Sequence, residues 1–214
     1  MKPVYLRLSA PEEELPVCSS RFLGNPDLPS GYGYPCFKDE DGDDYPYFFV
    51  CQINLEEFSR FDTENRLPKH GLLSFFAKID YYAGYSNDGC ISGYISSPED
   101  VKVIYFPECL DFEEIILVDD DGNPTSPPEM QIKFSHSIEK YGDEHAMFAN
   151  PDHREWETWD PPFENWEILL QIDSFSCNGV EINFMDCGVL DFLIDPEDLE
   201  NHRFENVRAI VLST

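Results

Sequence analysis

The sequence predicts a mainly β fold, α+β at its margin: a single compact β-rich domain built from an internal tandem repeat with a few short helices. Three observations carry this. The apolar blocks are short, rich in Val, Ile, Leu and Phe, and bounded by Gly, Pro, Asn or Asp, as strands are. Four blocks, three of them strand-like and one an "NPD" turn, recur in the same order in the two halves. The helix start signals mark only short segments.

The repeat emerges when the chain is laid on itself. The first half runs "NPD" (25–27), "QIN" (52–54), "GLLSFF" (71–76) and "VKVIYF" (101–106). The second runs "NPD" (150–152), "QID" (171–173), "GVLDFL" (188–193) and "VRAIVL" (207–212). Ordered agreement of four blocks reads as duplication. The halves cover approximately 1–118 and 130–214, joined by a connector at 119–129 whose Asp, Gly, Asn and Pro residues favour turns. Strand-like runs leading into it, "VKVIYFPE" and "EEIILV", point to one continuous domain.

Within each half one strand combines apolar residues with a glutamine. Strict alternation in "FVCQIN" puts Phe49, Cys51 and Ile53 on one face and Val50, Gln52 and Asn54 on the other. The same rule in "ILLQID" separates Ile168, Leu170 and Ile172 from Leu169, Gln171 and Asp173. Apolar residues on both faces make these central strands. A buried amide left unbonded costs about 1–3 kcal/mol, so Gln52 and Gln171 are expected to tie loop backbone to the strand. The alternative is that Gln52, Asn54, Gln171 and Asp173 line a cleft between the halves. Asn54 also fits an N-cap, with Glu57 completing a capping box. A second short helix begins with Asp195 as cap and Pro196 in the first helical position.

Composition bounds the function. The 214 residues are 42% hydrophobic and 14% aromatic, enough for a sizeable core. No apolar run spans a bilayer and the N-terminus has no signal-peptide core, so the expected compartment is the cytoplasm. The seven cysteines, at 18, 36, 51, 90, 109, 177 and 187, show neither C-x-x-C pairs nor zinc spacing. With 43 acids against 14 bases the formal charge is −29, which argues against nucleic acid and against an anionic membrane. The charge suits either solubility or attraction of a basic protein partner.

Motifs for chemistry are lacking. There is no G-x-S-x-G elbow, Walker A loop or H-E-x-x-H. The five histidines, at 70, 136, 145, 153 and 202, have no ligand spacing. "KDEDGDDY" (38–45) fails the calcium-loop pattern, because counting from Asp39 puts Asp44 where Gly belongs and Val50 where the bidentate Glu belongs. It and "DDDGN" (119–123) read as acidic turns. No catalytic residue, metal ligand or cofactor is predicted, and nothing bears on oligomeric state.

Two stretches could bind. "REWETWDPPFENW" (154–166) holds all three tryptophans, Trp156, Trp159 and Trp166, among acids and prolines. It is either an aromatic, acidic loop for a cation or basic peptide, or a loop whose indoles plug the edge of the core. "DYYAGYSNDGCISGY" (80–94), with Tyr81, Tyr82 and Tyr85, is a Tyr/Gly-rich excursion between strands.

The blocks "SSRFLGNPDLP" (19–29), "PYFFVCQINLEEF" (46–58), "LPKHGLLSFF" (67–76), "WEILLQIDS" (166–174) and "DCGVLDFLIDPEDL" (186–199) together resemble the YwqG-like family, a bacterial domain of unknown function. The resemblance implies a compact β-rich fold on an internal repeat and no established activity. The chain departs from the family at Leu23-Gly24, where a glycine pair is usual, and in "FANPDHREWETW" (148–159), where a "GYP" segment is usual.

The expected function is therefore that of a non-enzymatic cytosolic binding protein engaging a basic protein through its acidic surface, in one version an immunity-like role. The alternatives are a small-ligand binder or enzyme with a cleft between the halves, and a module whose charge serves solubility alone.

Overall fold

A computed structural model describes residues 2–38, 41–79, 90–137, 143–153, 158–177 and 179–213. Tyr81, Tyr82, Tyr85 and Trp156 lie outside the described residues.

The first half forms β1 (Val4–Ser9), β2 (Arg21–Phe22), β3 (Asp27–Pro29), β4 (Cys36–Lys38), β5 (Asp44–Pro46), β6 (Phe48–Asn54), α1 (Leu55–Phe58), β7 (Leu72–Ala77), β8 (Val101–Phe106) and β9 (Phe112–Glu114). The second forms β10 (Met130–Ser135), β11 (Ala146–Met147), β12 (Glu167–Asp173), β13 (Phe175–Cys177), β14 (Val180–Ile182), β15 (Val189–Ile194), α2 (Pro196–Glu200) and β16 (Arg208–Leu212). Of the "EEIILV" run, only its glutamates join β9, and Val118 closes a bridge to Pro124. Among the described residues no helix is long and apolar enough to cross a membrane.

Ten strands make one sheet in the order β16-β15-β12-β11-β1-β10-β2-β6-β7-β8. Read outward from its centre, the order is the same on both sides. β2, β6, β7 and β8 match β11, β12, β15 and β16, and the central pair is β1 with β10. Each repeat therefore lends its leading strand to the other: β1 lies between β10 and β11, and β10 between β1 and β2. The exchange joins the halves by main-chain hydrogen bonds, which is why neither half stands apart.

The sheet curls toward a barrel, and its inner faces share one core that includes Phe22, Phe75, Met147, Leu170 and Phe192. The outer face of the first half is covered by β3 and β9, with Leu28, Phe49, Phe76 and Phe106 packed beneath. On the second half the 158–166 loop does this, laying Trp159 over Ile168, Leu193 and Ile210. One exposed edge is also covered, since Ser92 O and Ser96 bond along β16, which suppresses pairing with other chains.

Strict alternation fails in both glutamine strands for one reason. A bulge shifts the register between Phe49 and Cys51 in β6, and between Ile168 and Leu170 in β12. The extra residue turns Phe49 and Ile168 outward while Val50, Cys51, Leu169 and Leu170 all join the inner core. The freed carbonyls are used identically: Leu23 N donates to Val50 O at 2.9 Å, and Phe148 N to Leu169 O at 3.1 Å. Leu23 and Phe148 both take left-handed backbone, with φ of 57° and 56°.

The leading glycines of "GLLSFF" and "GVLDFL" have a steric explanation. A Cβ on Gly71 would lie 2.2 Å from Phe106 O, and one on Gly188 1.7 Å from Leu212 O. Both strands can start against the last carbonyl of their neighbour only without a side chain there. The caps form at Asn54, which accepts from Glu56 N and Glu57 N at 3.0 and 3.1 Å, and at Asp195, which accepts from Glu197 N at 2.8 Å. The capping box at Asn54 does not close. Glu57 accepts instead from Ser20 N at 3.2 Å, while Asn54 N donates to Ser20 Oγ at 2.9 Å.

Candidate functional site

Each repeat holds a polar node where the glutamine strand meets its inner neighbour. Gln52 opposes Arg21 and Ser74; Gln171 opposes Ala146 and Asp191. Both glutamines are buried. Gln52 Nε2 donates to Ser19 O at 2.9 Å and Gln171 Nε2 to Glu144 O at 3.0 Å. The following N–H also finds a side-chain acceptor in each half: Ser20 Oγ for Asn54, and His145 Nδ1 for Asp173 at 3.0 Å. Asn54 Nδ2 donates to Cys18 O at 2.8 Å, and Asp173 Oδ2 accepts from Glu144 N at 3.0 Å. All four predicted residues thus bond to backbone, in two separate nodes.

The nodes differ where the first half carries a buried ion cluster. Asp27 N donates to Gln52 Oε1 at 2.9 Å, and the Asp27 carboxylate accepts from Gln52 Nε2 and Cys18 N. Arg21, only 2% exposed, lies 3.1 Å from both Asp27 and Glu129 and 3.8 Å from Glu114. A buried carboxylate needs such a partner. In the second half Ala146 stands where Arg21 does, no cation among the described residues takes its place, and the aligned Asp152 is exposed, its N–H bonding Asn150 O at 2.8 Å.

That exposure leaves Gln171 Oε1 without a partner among the described residues, along with both oxygens of Asp191 on the adjacent strand. Burial pushes the Asp191 carboxyl well above its ordinary range, which favours the neutral acid over the carboxylate. Burial also raises Glu129, against the opposing pull of Arg21. His145 holds Asp143 below the usual carboxylate range.

Two clefts occupy equivalent places on the outer face. One, of about 250 Å³, is walled by Gly24, Tyr45, Tyr47, Phe48 and Phe49. The other, of about 300 Å³, has Ala149, Glu164, Trp166, Glu167 and Ile168 in the corresponding positions. Each is framed by the loop after the left-handed residue and by the entry to the bulged strand. Trp159 and Trp166 belong to the second. Trp159 is 3% exposed and donates Nε1–H to Trp166 O at 2.9 Å, while Trp166 is half-buried with its ring edge-on to Phe163 at 4.9 Å.

The cleft residues Tyr45, Tyr47, Glu164 and Glu167 escaped the sequence reading, as did Arg21 and Asp191. Extending the aligned glutamine blocks seven residues toward the N-terminus, "YPYFF" (45–49) against "ENWEI" (164–168), exposes them. The bulge concealed which face they share. Among the described residues no group of His, Cys, Asp or Glu could hold a metal ion.

A curled sheet of two strand-exchanged repeats, with one glutamine node and one cleft per repeat, defines a duplicated β-sheet protein. The chain belongs to the family described as a domain of unknown function, DUF1963, which matches twice, over residues 20–144 and 109–211. No curated protein matches the chain.

Proposed function

We propose that the protein is a non-enzymatic binding protein that engages a basic protein partner through its acidic surface. The observation that carries this is the imbalance of charge: −29 formally, from 43 acids and 14 bases. The bases are moreover partly engaged already, with Arg21, Arg66 and Lys78 in buried or half-buried ion pairs and Lys38 and Arg203 in exposed ones. What remains is a surface field that attracts cations and repels nucleic acid and anionic lipid. Neutralisation of a cationic toxin, an immunity-like role, is one form such binding takes. The unbridged thiols of Cys18, Cys36, Cys51, Cys109, Cys177 and Cys187 support a reducing compartment, the cytoplasm. Within its family we group the chain with the bacterial YwqG-like proteins, on the five blocks quoted above.

A second reading, small-ligand binding, draws on the two clefts, which lie one in each repeat. Affinity capture from host lysate, washed at low and then high salt, separates the two. A basic protein released as salt rises supports the first reading. Capture that resists salt, or no enriched protein, removes it and sends the work to a thermal-shift screen of small ligands.

A further inference from the structure

The two clefts share a backbone frame but not a chemistry. Where the first has Tyr45 and Phe48, the second has Glu164 and Glu167, and Tyr47 is matched by Trp166. Substitution of two apolar wall positions by acids does nothing for packing, since each acid must be hydrated or paired. Glu167 is paired with Arg66. Glu164 is exposed, and among the described residues no cation pairs with it. The Trp166 indole forms the adjoining wall, and the guanidinium of Arg208 already lies over its ring, 6.0 Å from the centroid. Asn150 and Asn165 also line the cleft. An aromatic wall beside an unpaired carboxylate is the setting that favours a planar cation.

We infer that the second-repeat cleft receives an arginine side chain of the basic partner, its guanidinium between the Glu164 carboxylate and the Trp166 indole. The inference rests on the proposed function, because it names where the partner's charge is read. It assigns the first cleft no part in this contact: with Tyr45 and Phe48 at the matching positions, that cleft offers no carboxylate.

Titration of the full chain with a labelled oligoarginine peptide at low salt tests it. Wild type binds, and Glu164→Gln weakens binding about tenfold, as does Trp166→Ala. Asp120→Asn, which removes one exposed charge from the connector, and Tyr45→Ala in the first cleft each change affinity less than about twofold. Thermal melts of Glu164→Gln matching wild type keep a folding defect from imitating the result. Equal weakening by Glu164→Gln and Asp120→Asn makes binding diffuse, which overturns the cleft while leaving the acidic-surface reading in place. Loss on Tyr45→Ala alone moves the contact to the first cleft and also overturns it. Failure of wild type to bind at low salt removes the function itself.

Discussion

Phe75 and Phe192 occupy equivalent positions of the two repeats and meet each other across the core, edge to face, with ring centroids 5.2 Å apart and planes at 71°. The sheet has curled until β7 and β15 present the same side chain to one another. Such a pair contributes about 0.5–1.5 kcal/mol beyond its burial. Phe75→Ala and Phe192→Ala should each destabilise by about 3–5 kcal/mol. In urea titrations the double variant should lose less than the sum of the singles. Strict additivity would mean that the rings do not couple.

The glutamines should differ although their strands match. Gln52→Ala strands Asp27 N and Ser19 O, each with a penalty of about 1–3 kcal/mol, and takes one of three partners from the Asp27 carboxylate. Gln171→Ala strands only Glu144 O and removes an acceptor that had no partner. Chemical denaturation should rank Gln52→Ala as clearly the more damaging. Equal losses would contradict the asymmetry of the nodes.

Arg21 and Asp27 form a unit. Arg21→Met leaves a buried carboxylate uncompensated, a loss of about 3–5 kcal/mol. Adding Asp27→Asn should recover a large part of it, because the amide needs no counter-ion. A double variant as unstable as Arg21→Met alone would show that the guanidinium acts through Glu129 or through packing.

Asp191 makes stability fall with rising pH. Its folded pKa lies above its unfolded value of about 3.9, so the native state holds the proton through that window. The contribution is complete below the unfolded pKa and is lost as pH rises toward the folded one, at up to about 1.4 kcal/mol per pH unit. Asp191→Asn should therefore be more stable than wild type at neutral pH, with the advantage shrinking toward pH 4. Melting both proteins across pH isolates this group, since Asp143 and Glu129 titrate in each. A pH-independent difference would place the carboxyl in water, and an advantage that grows toward low pH would place it beside a cation.

Much of the fold was legible because it is written twice. The blocks around Gln52 and Gln171 and the leading glycines mark equivalent hydrogen bonds, the "NPD" turns align but bond differently, and local rules sufficed to place the caps at Asn54 and Asp195. The face assignment of Phe49 and Ile168 was not legible, because a bulge inserts one residue without a residue type that announces it. Nor was the ion cluster: Arg21 and Asp27 meet only through the loop between them, and Glu129 arrives from the connector. The clefts lay just outside the aligned blocks, where Tyr45 and Glu164 share a position but no chemistry. The tryptophans carried a composition signal, and the structure gives Trp159 to the covering of the sheet.

The crossing of β1 and β10 bears on how the chain is made. β1 leaves the ribosome long before either of its neighbours, β10 and β11, has been synthesised. It must wait, unpaired, while β2 through β8 assemble with one flank open. The intermediate so formed carries a free strand and an empty slot of the same shape, which a second nascent chain could fill. A severed first half should accordingly be found paired with another copy of itself, or with the missing second half when both are supplied in trans.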